Sequence, residues 1–204
     1  MNDREILDRL RMSAWADVEY FSNANKEVRE RWVVSQFLLI LGIAHQEHDL
    51  LSLEQANKAD VSFRSANFQV KELPDPDLMR GKMYKDVYNS IKTAKTLEDI
   101  SWVGDVRDVP PVSSMYELVL GRAAELAAAE PYKAQRANLD LLIYVTRTRA
   151  GLIQASELNA GDFAELGWRS VSCVNAKQAV VLFSSPSAPK FIKEKSQALM
   201  SASG

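Results

Sequence analysis

The segment Leu139–Thr146 constrains the fold more than any other part of the chain. It is a nearly continuous apolar run, Leu-Asp-Leu-Leu-Ile-Tyr-Val-Thr, which is typical of a strand buried on both faces. Such a strand needs helices to cover both sides of its sheet. We therefore expect an α/β (α+β) fold, in which a mixed central sheet is flanked by helices and Leu139–Thr146 is a central strand.

Helical periodicity and capping signals predict four long helices around this strand. They cover residues 3–21, 26–43, 78–97 and 114–129, the last opened by the capping box Ser114-x-x-Glu117. Two runs near the carboxyl end, Ser170–Val174 and Ala179–Ser184, predict a second hairpin. The last twenty residues are rich in Ser, Pro, Ala and Lys, and they predict a loose tail.

Composition limits the classes of partner and compartment. The net charge of −2 supplies no global positive field, so binding to nucleic acid would need a local basic surface. Five residues are candidates for it: Lys82, Lys85, Lys92, Arg147 and Arg149. The single cysteine, Cys173, excludes an internal disulfide, fits the reducing cytoplasm and is expected to serve packing. The apolar run from Val33 to Ala44 is too short to span a bilayer, so we expect no membrane partner.

The stretch Asp60–Lys71 predicts a β-hairpin with two different faces. Its apolar residues fall on one side: Val61, Phe63, Phe68 and Val70. Its polar residues fall on the other: Asp60, Ser62, Gln69 and Lys71. A turn centred on Ser65-Ala66 would pair Val61 with Val70, and it would place Asp60 opposite Lys71 and Ser62 opposite Gln69.

The polar face of this hairpin carries groups that a metal-dependent hydrolase needs. Asp60 and Gln69 offer oxygen ligands for a hard cation such as magnesium. The Lys71 ammonium could stabilise charge on a reacting phosphate or orient an attacking water. The alternative is a polar face that simply meets water, as in most antiparallel hairpins.

A second group of metal-ligating types is found at the predicted exit of the helix 26–43. His45 and His48 are three residues apart, with Glu47 and Asp49 beside them. A solvated helix exit is the favoured interpretation, because a single His pair lacks the further ligands of a structural zinc site.

The spacing Asp60-(x8)-Gln69-x-Lys71 resembles the core motif of the PD-(D/E)xK nuclease superfamily. More closely, the chain resembles a small bacterial family of unknown function described as candidate endonucleases, through residues 26–32 (KEVRERW) and 68–72 (FQVKE). Two positions depart from the superfamily motif. Ala59 stands where the motif has proline, and Gln69 stands where it has a second acid, offering a neutral carbonyl oxygen.

The resemblance implies a restriction-endonuclease-like core and a metal-dependent endonuclease that hydrolyses phosphodiester bonds of DNA or RNA. Asp60 would be the main ligand of Mg²⁺ or Mn²⁺, Gln69 a neutral ligand, and Lys71 the group at the reacting phosphate. The superfamily often adds an acid from the helix before the sheet, which would be Glu30 rather than Glu27. For both glutamates the alternative is a solvated first helical turn.

On this basis residues 1–204 form a single domain with an N-terminal helical extension (1–24), a nuclease-like core (25–184) and a loose tail (185–204). A homodimer is left open. The competing function is a non-catalytic regulatory or interaction protein that retains a nuclease-like fold. Gln69 and the negative net charge favour that alternative.

Overall fold

The computed structural model describes residues 2–54, 58–76, 80–100 and 112–202. The chain divides into two compact units. We call residues 1–26 and 76–109 the helical unit, and residues 27–75 and 110–204 the sheet unit. The expected N-terminal extension is thus joined by a segment from the middle of the chain, which local sequence patterns do not indicate.

The described elements are these. The helices are α1 (Asp3–Tyr20), α2 (Lys26–Ile40), α3 (Arg80–Thr93), α4 (Met115–Ala128), α5 (Glu130–Lys133), α6 (Gly161–Ala164) and α7 (Lys190–Lys193). The strands are β1 (Leu51–Ser52), β2 (Val61–Phe63), β3 (Ala66–Leu73), β4 (Ser113–Ser114), β5 (Asp140–Val145), β6 (Ala150–Gly151), β7 (Ser170–Val174), β8 (Gln178–Ser184) and β9 (Leu199–Ser201). Short 3-10 helices occupy Asn23–Asn25, Glu47–Asp49, Arg136–Asn138 and Ala155–Glu157.

The sheet unit is built on a mixed sheet with β5 at its centre. Within the described residues its strand order is β1-β2-β3-β5-β7-β8-β9. The β3–β5 and β5–β7 pairs are parallel, whereas β2–β3 and β7–β8 are antiparallel hairpins. The prediction of a mixed sheet with Leu139–Thr146 at its centre is confirmed, and so is the hairpin of β7 and β8.

Helices cover both faces of this sheet. On one, which we call the α2 face, apolar residues of α2 such as Val34 and Phe37 pack against sheet residues Val70 and Leu142. On the other, the α4 face, residues of α4 pack against sheet residues that alternate with those: Leu141, Ile143, Val171 and Cys173. Because successive side chains of a strand point to opposite faces, burial on both sides explains the continuous apolar run of β5.

The helical unit pairs α1 with α3 around a small apolar cluster. Its buried members are Leu7, Ala14, Ile91, Ala94 and Ile100. Asn2 caps α1, since its side chain accepts from the Glu5 N–H and the Glu5 carboxylate accepts from the Asn2 N–H. Each of the four long helices that periodicity predicts is present, with bounds that differ by a few residues. No helix in the described ranges is long and apolar enough to cross a membrane.

The register of the first hairpin differs from the prediction. The observed partners are Val61 with Phe68, Ser62 with Asn67 and Phe63 with Ala66. The expectations that Asp60 faces Lys71 and that Ser62 faces Gln69 are therefore wrong. The slip is an even number of residues, so every side chain keeps its face, and alternation alone cannot distinguish the two registers.

Contacts around the turn explain why the shorter register forms. Arg64 adopts a left-handed conformation with φ 52°, and its guanidinium stacks over the Phe63 ring at 4.7 Å. Its Nη2 donates to the Ala44 carbonyl at 3.1 Å. Ala66, which the predicted turn would expose, is instead fully buried. Tertiary contacts thus compensate for a turn without glycine or asparagine.

The expectation of a loose carboxyl-terminal tail is also corrected for residues 185–202. This segment contains α7 and β9, and Leu199–Ser201 pairs with β8. Phe191 and Ile192 are buried in the core on the α2 face. The segment is rich in Ser and Lys, but it also contains the apolar pair Phe191 and Ile192. Burial of this pair holds the segment against the sheet.

Candidate functional site

Asp60 and Gln69 are in direct contact at the start of the first hairpin. Asp60 immediately precedes β2, and its backbone N–H continues the ladder by donating to the Phe68 carbonyl at 2.8 Å. Its Oδ2 accepts hydrogen bonds from the Gln69 side-chain amide and from the Val70 N–H, the latter at 2.9 Å. The shorter register brings these groups together, because it moves Gln69 two places closer to Asp60 than the predicted one.

The neutral side chain of Gln69 can lie against the Asp60 carboxylate without the repulsion that a second negative charge would cause. It is only 3% exposed, so a second carboxylate in its place would be buried next to Asp60. The amide donates a hydrogen bond where a carboxylate would repel. The departure from the superfamily motif therefore has a direct structural consequence, since the site holds a single negative charge from Asp60 and Gln69 together.

Lys71 lies two residues further along β3 and shares the α4 face with Gln69. Its register partner Ile143 and the partner of Gln69, Leu141, both belong to the core on that face. The Lys71 ammonium lies 5.8 Å from the centre of the Tyr132 ring, within cation–π range. It forms no ion pair with any residue in the part of the chain that the structure describes.

Tyr132 is a neighbour of Lys71 that sequence reasoning missed. It lies in α5, and its ring packs against Trp168 with centroids 5.7 Å apart. Trp168 is itself buried and donates its indole N–H to the Ala123 carbonyl at 3.2 Å. An aromatic residue after Pro131 carries no sequence signal that links it to a lysine sixty positions earlier.

Glu30 does not join the other three predicted residues. It lies on α2 and is 9% exposed, as its spacing from Phe37 and Leu41 predicts. However, α2 covers the face that carries Phe68 and Val70, whereas Gln69 and Lys71 point to the opposite face. The sequence located the buried side of the helix correctly, but it could not tell which face of the sheet that helix would cover.

The groups at Asp60 meet the minimum for a magnesium-type site. This ion is usually held by one or two carboxylates together with water and substrate phosphates. Asp60 supplies one carboxylate, and the Gln69 amide oxygen could supply a neutral ligand. Within the described ranges there is no cluster of three or more His, Cys, Asp or Glu residues that could hold a metal by themselves. A cation at Asp60 would therefore take most of its remaining ligands from water or from the substrate.

The predicted basic residues are divided between the two units. Lys82, Lys85 and Lys92 lie on α3 in the helical unit. Arg147 and Arg149 follow β5 in the sheet unit, close in sequence to the Thr146 N–H that bonds to Leu73. A continuous basic surface formed by all five residues stays a prediction.

The two histidines have different surroundings. The ring of His45 bonds through Nε2 to the Ser35 hydroxyl at 2.9 Å and through Nδ1 to the Ile43 carbonyl at 3.0 Å. His48 is exposed and lies 3.7 Å from Asp49. Because Nδ1 donates to a carbonyl, neutral His45 accepts at Nε2 from Ser35, so both ring nitrogens are used within the protein.

Cys173 has the packing role expected for it. It lies in β7 and is fully buried in the core on the α4 face. Burial raises the pKa of its thiol to about 12, because the thiolate would be stripped of water. A thiol with that pKa is almost entirely protonated at neutral pH, which makes it a poor nucleophile.

A buried polar network supports the strand that carries Gln69 and Lys71. Asp140, at the start of β5, is 1% exposed. Its carboxylate accepts from the Ser170 hydroxyl at 2.7 Å, from the Asn67 N–H at 2.9 Å and from the Arg169 guanidinium. Sequence reasoning missed this network, although the single charge inside the apolar run of Leu139–Thr146 was a signal that could have indicated it.

Comparison with solved structures finds a protein of unknown function from Pseudomonas aeruginosa strain PAO1, described as belonging to the monooxygenase superfamily. The two share 23% of residues with a TM-score of 0.62, over 100% of this chain and 97% of that one. At this level of identity the likeness shows a common fold alone. None of the curated proteins matches the chain.

A family model covers almost the whole chain. It matches residues 2–202, and its description is "Putative endonuclease, protein of unknown function (DUF1780)". This confirms the resemblance carried by residues 26–32 and 68–72. A match of that extent shows membership, so the chain belongs to this family.

Proposed function

We propose that this chain is a metal-dependent endonuclease that hydrolyses phosphodiester bonds of DNA or RNA. The observation that carries the proposal is the contact of Asp60 with Gln69, with Lys71 two residues further on the same sheet face. An acid, an amide and a lysine are thereby grouped on two neighbouring strands, with the ammonium of Lys71 unpaired by acids in the described part of the chain. The family description supports nucleic acid as the substrate class.

The residues have separate roles in this proposal. Asp60, with Gln69 as a neutral ligand, would hold Mg²⁺ or Mn²⁺, which when bound lowers the pKa of water and neutralises the phosphate. The Val70 N–H and the Gln69 amide orient the Asp60 carboxylate. The Lys71 ammonium donates to a phosphate oxygen as negative charge develops there. The attacking water forms a bond to phosphorus, the ester P–O bond breaks, and a phosphomonoester and a hydroxyl result.

The proposal takes the β2–β3 hairpin and the parallel β3–β5 pair as a restriction-endonuclease-like core, and places the protein in the cytoplasm. Glu30 is left out of the site because it belongs to the α2 face. Glu30→Gln should therefore leave cleavage within about twofold of wild type, since it removes no group near the reacting phosphate. A loss of cleavage as large as that of Asp60→Asn would restore Glu30 to the site.

The test combines cleavage with metal binding. Purified protein is incubated with plasmid DNA and with RNA in Mg²⁺ or Mn²⁺, and Mn²⁺ binding is measured by calorimetry. Asp60→Asn should lose both binding and cleavage, whereas Lys71→Ala should bind Mn²⁺ normally and lose cleavage. Lys177→Ala, at an exposed turn between β7 and β8, is the matched control and should behave as wild type. Cleavage that survives Asp60→Asn would contradict the proposal.

A non-catalytic regulatory or interaction protein is the second candidate. The observation in its favour is that, among the described contacts, Asp60 is the one carboxylate that bonds to Gln69. A cation bound there would have one acidic ligand from the hairpin, where the superfamily motif supplies two. Failure to bind Mn²⁺ at millimolar concentration, with and without DNA, would support this candidate and overturn the endonuclease.

A further inference from the structure

Arg147 follows β5 in a segment whose backbone is fixed on both sides. The Thr146 N–H donates to the Leu73 carbonyl at 3.1 Å, and the Thr146 hydroxyl donates to Glu72 at 2.8 Å. The Thr148 N–H donates to Asp75 Oδ1 at 2.8 Å. Side-chain bonds on either side of Arg147 thus tie this turn to the end of β3, so the position of its Cα is set by the sheet.

Arg147 lies two residues beyond Val145, where β5 ends, and the alternation of the strand, continued through Thr146, directs it to the same side as Lys71. Ile143 and Val145 belong to the core on the α4 face, which Lys71 shares. Thr146 points the other way, because its hydroxyl bonds to Glu72, the residue that follows Lys71 on β3. The next residue, Arg147, therefore returns to the α4 face.

The guanidinium of Arg147 differs from those of Arg122 and Arg169 in having no partner among the described residues. Arg147 is half-buried, and its Nε is shielded from solvent without a hydrogen bond. The Nε of Arg122 is also buried and unbonded, but its Nη1 pairs with Glu125 at 2.7 Å. Arg169 pairs with Asp140. Within the described residues Arg147 makes no side-chain hydrogen bond or ion pair at all.

The buried Nε of Arg147 lacks an acceptor within the described residues, and a ligand with several acceptor oxygens could satisfy it together with the more exposed nitrogens. The planar fork of donors in the guanidinium matches a phosphate group. Arg147 lies four residues beyond Ile143, the partner of Lys71, or about 13 Å along the strand. This spacing is longer than the distance between neighbouring phosphates of a strand, so Lys71 and Arg147 would contact different phosphates.

The geometry points to Arg147 as a phosphate-binding residue of the sheet unit. It holds a flanking phosphate of the same strand whose scissile phosphate lies at Lys71. The inference rests on the proposed function for the identity of the substrate. It goes further by proposing a path for the nucleic-acid strand from Lys71 to Arg147, and by separating one arginine from the other predicted basic residues.

The experiment measures binding of a fluorescein-labelled single-stranded oligonucleotide by anisotropy, in EDTA and over a range of salt concentrations. Arg147→Gln should weaken binding about tenfold, independently of sequence, and lower the slope of log K against log salt by about one. Lys177→Gln removes the same charge at an exposed turn and is expected to change neither quantity by more than a fraction of this. Thermal unfolding shows that each variant is folded.

Oligonucleotide length gives a second measurement. Wild type should bind strands of eight or more nucleotides with higher affinity than dinucleotides, and Arg147→Gln should lose most of this difference, because the single internucleotide phosphate of a dinucleotide cannot reach both cations. An equal effect of Arg147→Gln and Lys177→Gln, an unchanged length dependence, or no binding by wild type would overturn the inference.

The outcomes separate this inference from the proposed function. If wild type binds oligonucleotides through Arg147 but cleaves none in Mn²⁺, the endonuclease fails and the phosphate site stands. If wild type cleaves and Arg147→Gln binds and cleaves as wild type does, the phosphate site fails and the endonuclease stands.

Discussion

Asp140 and Arg169 form a two-point ion pair at the amino-terminal ends of the central parallel strands β5 and β7. Arg169 Nε donates to Asp140 Oδ1 at 3.1 Å, and its Nη2 contacts Oδ2. The same Nη2 reaches the Ser65 carbonyl at 3.2 Å, in the turn of the first hairpin. With the Asn67 N–H bonded to Asp140, this pair fixes β3 against β5 and β7. The strand that carries Gln69 and Lys71 is thus held from its first residues.

Removing Asp140 should strongly destabilise the sheet unit. Asp140→Ala leaves the guanidinium of Arg169, 13% exposed, without its buried counter-charge, and it also removes acceptors from Ser170 and Asn67. The expected loss is about 3–5 kcal/mol in the free energy of unfolding, measured by urea denaturation. Glu125→Ala breaks an exposed pair with Arg122 and should cost less than about 1 kcal/mol. Equal losses in the two variants would refute the role given to Asp140.

Sequence patterns predicted the elements of this fold better than their long-range partners. The apolar run of Leu139–Thr146 placed the central strand correctly, because burial on both faces dictates composition directly. The register of the first hairpin was wrong because a two-residue slip keeps every side chain on its face. Its turn is fixed by contacts of Arg64 with Ala44 and Phe63, which are far apart in the chain or carry no turn signal.

For the candidate site, too, the sequence predicted local features better than long-range contacts. Asp60, Gln69 and Lys71 could be selected because alternation is a local property of the hairpin. The side of the sheet that α2 covers is a property of chain topology, so the sequence could not tell where Glu30 would lie relative to Gln69 and Lys71. Tyr132 contacts Lys71 from more than sixty positions away, and nothing in the sequence links the two. Asp140 did carry a signal, as the one charge in an apolar run, but the sequence could not name its partners Asn67, Arg169 and Ser170.

Cys173 should make stability depend on pH in the alkaline range. Burial raises the pKa of its thiol from 9.0 to about 12 in the folded protein. Below pH 9 the thiol is protonated in both states, and its contribution to stability is fully present. Between pH 9 and 12 the unfolded chain releases the proton and the folded protein does not. The free energy of unfolding should therefore fall as pH rises, by about 1.4 kcal/mol per unit from this group.

The measurement compares urea unfolding at pH 8 and pH 10 for wild type and Cys173→Ala. The variant loses stability at both values through the cavity, so the difference between the two pH values is the relevant quantity. Wild type should lose about 1 kcal/mol more than the variant over this interval. Tyr116, with a pKa raised to about 12 by burial and by its bond to Asp162, is common to both proteins. Identical losses in the two proteins would show that the thiol ionises while folded.

Tyr132 should hold the Lys71 ammonium in place. Its ring faces the ammonium at 5.8 Å, and a cation–π contact is worth about 0.5–1 kcal/mol at a partly exposed site. Tyr132→Leu should lower kcat by about fivefold with little change in Mn²⁺ affinity, whereas Tyr132→Phe keeps the ring and should resemble wild type. Labelling of Lys71 by an amine-reactive ester, followed by mass spectrometry, should accelerate in the Leu variant alone. Equal labelling in Leu and Phe variants would remove Tyr132 from this role.

Gln69→Glu tests how the site balances charge. The substitution restores the second acid of the superfamily motif, but it buries that acid against the carboxylate of Asp60. Without a cation the two carboxylates repel each other, so the metal-free variant should unfold at a lower temperature than wild type. With a cation they become two anionic ligands, and the affinity for Mn²⁺ should rise about tenfold.

Thermal unfolding with and without Mn²⁺ distinguishes this mechanism from simple loss of a hydrogen bond. Mn²⁺ should raise the unfolding temperature of Gln69→Glu more than that of wild type, because a ligand that binds only the folded state stabilises that state more when its affinity is higher. Gln69→Met has similar volume without the oxygen, and it should be destabilised with no additional response to Mn²⁺. If Gln69→Glu responds to Mn²⁺ no more than Gln69→Met does, the cation does not bind beside Asp60. The Asp60–Gln69 contact is then a structural hydrogen bond of the hairpin.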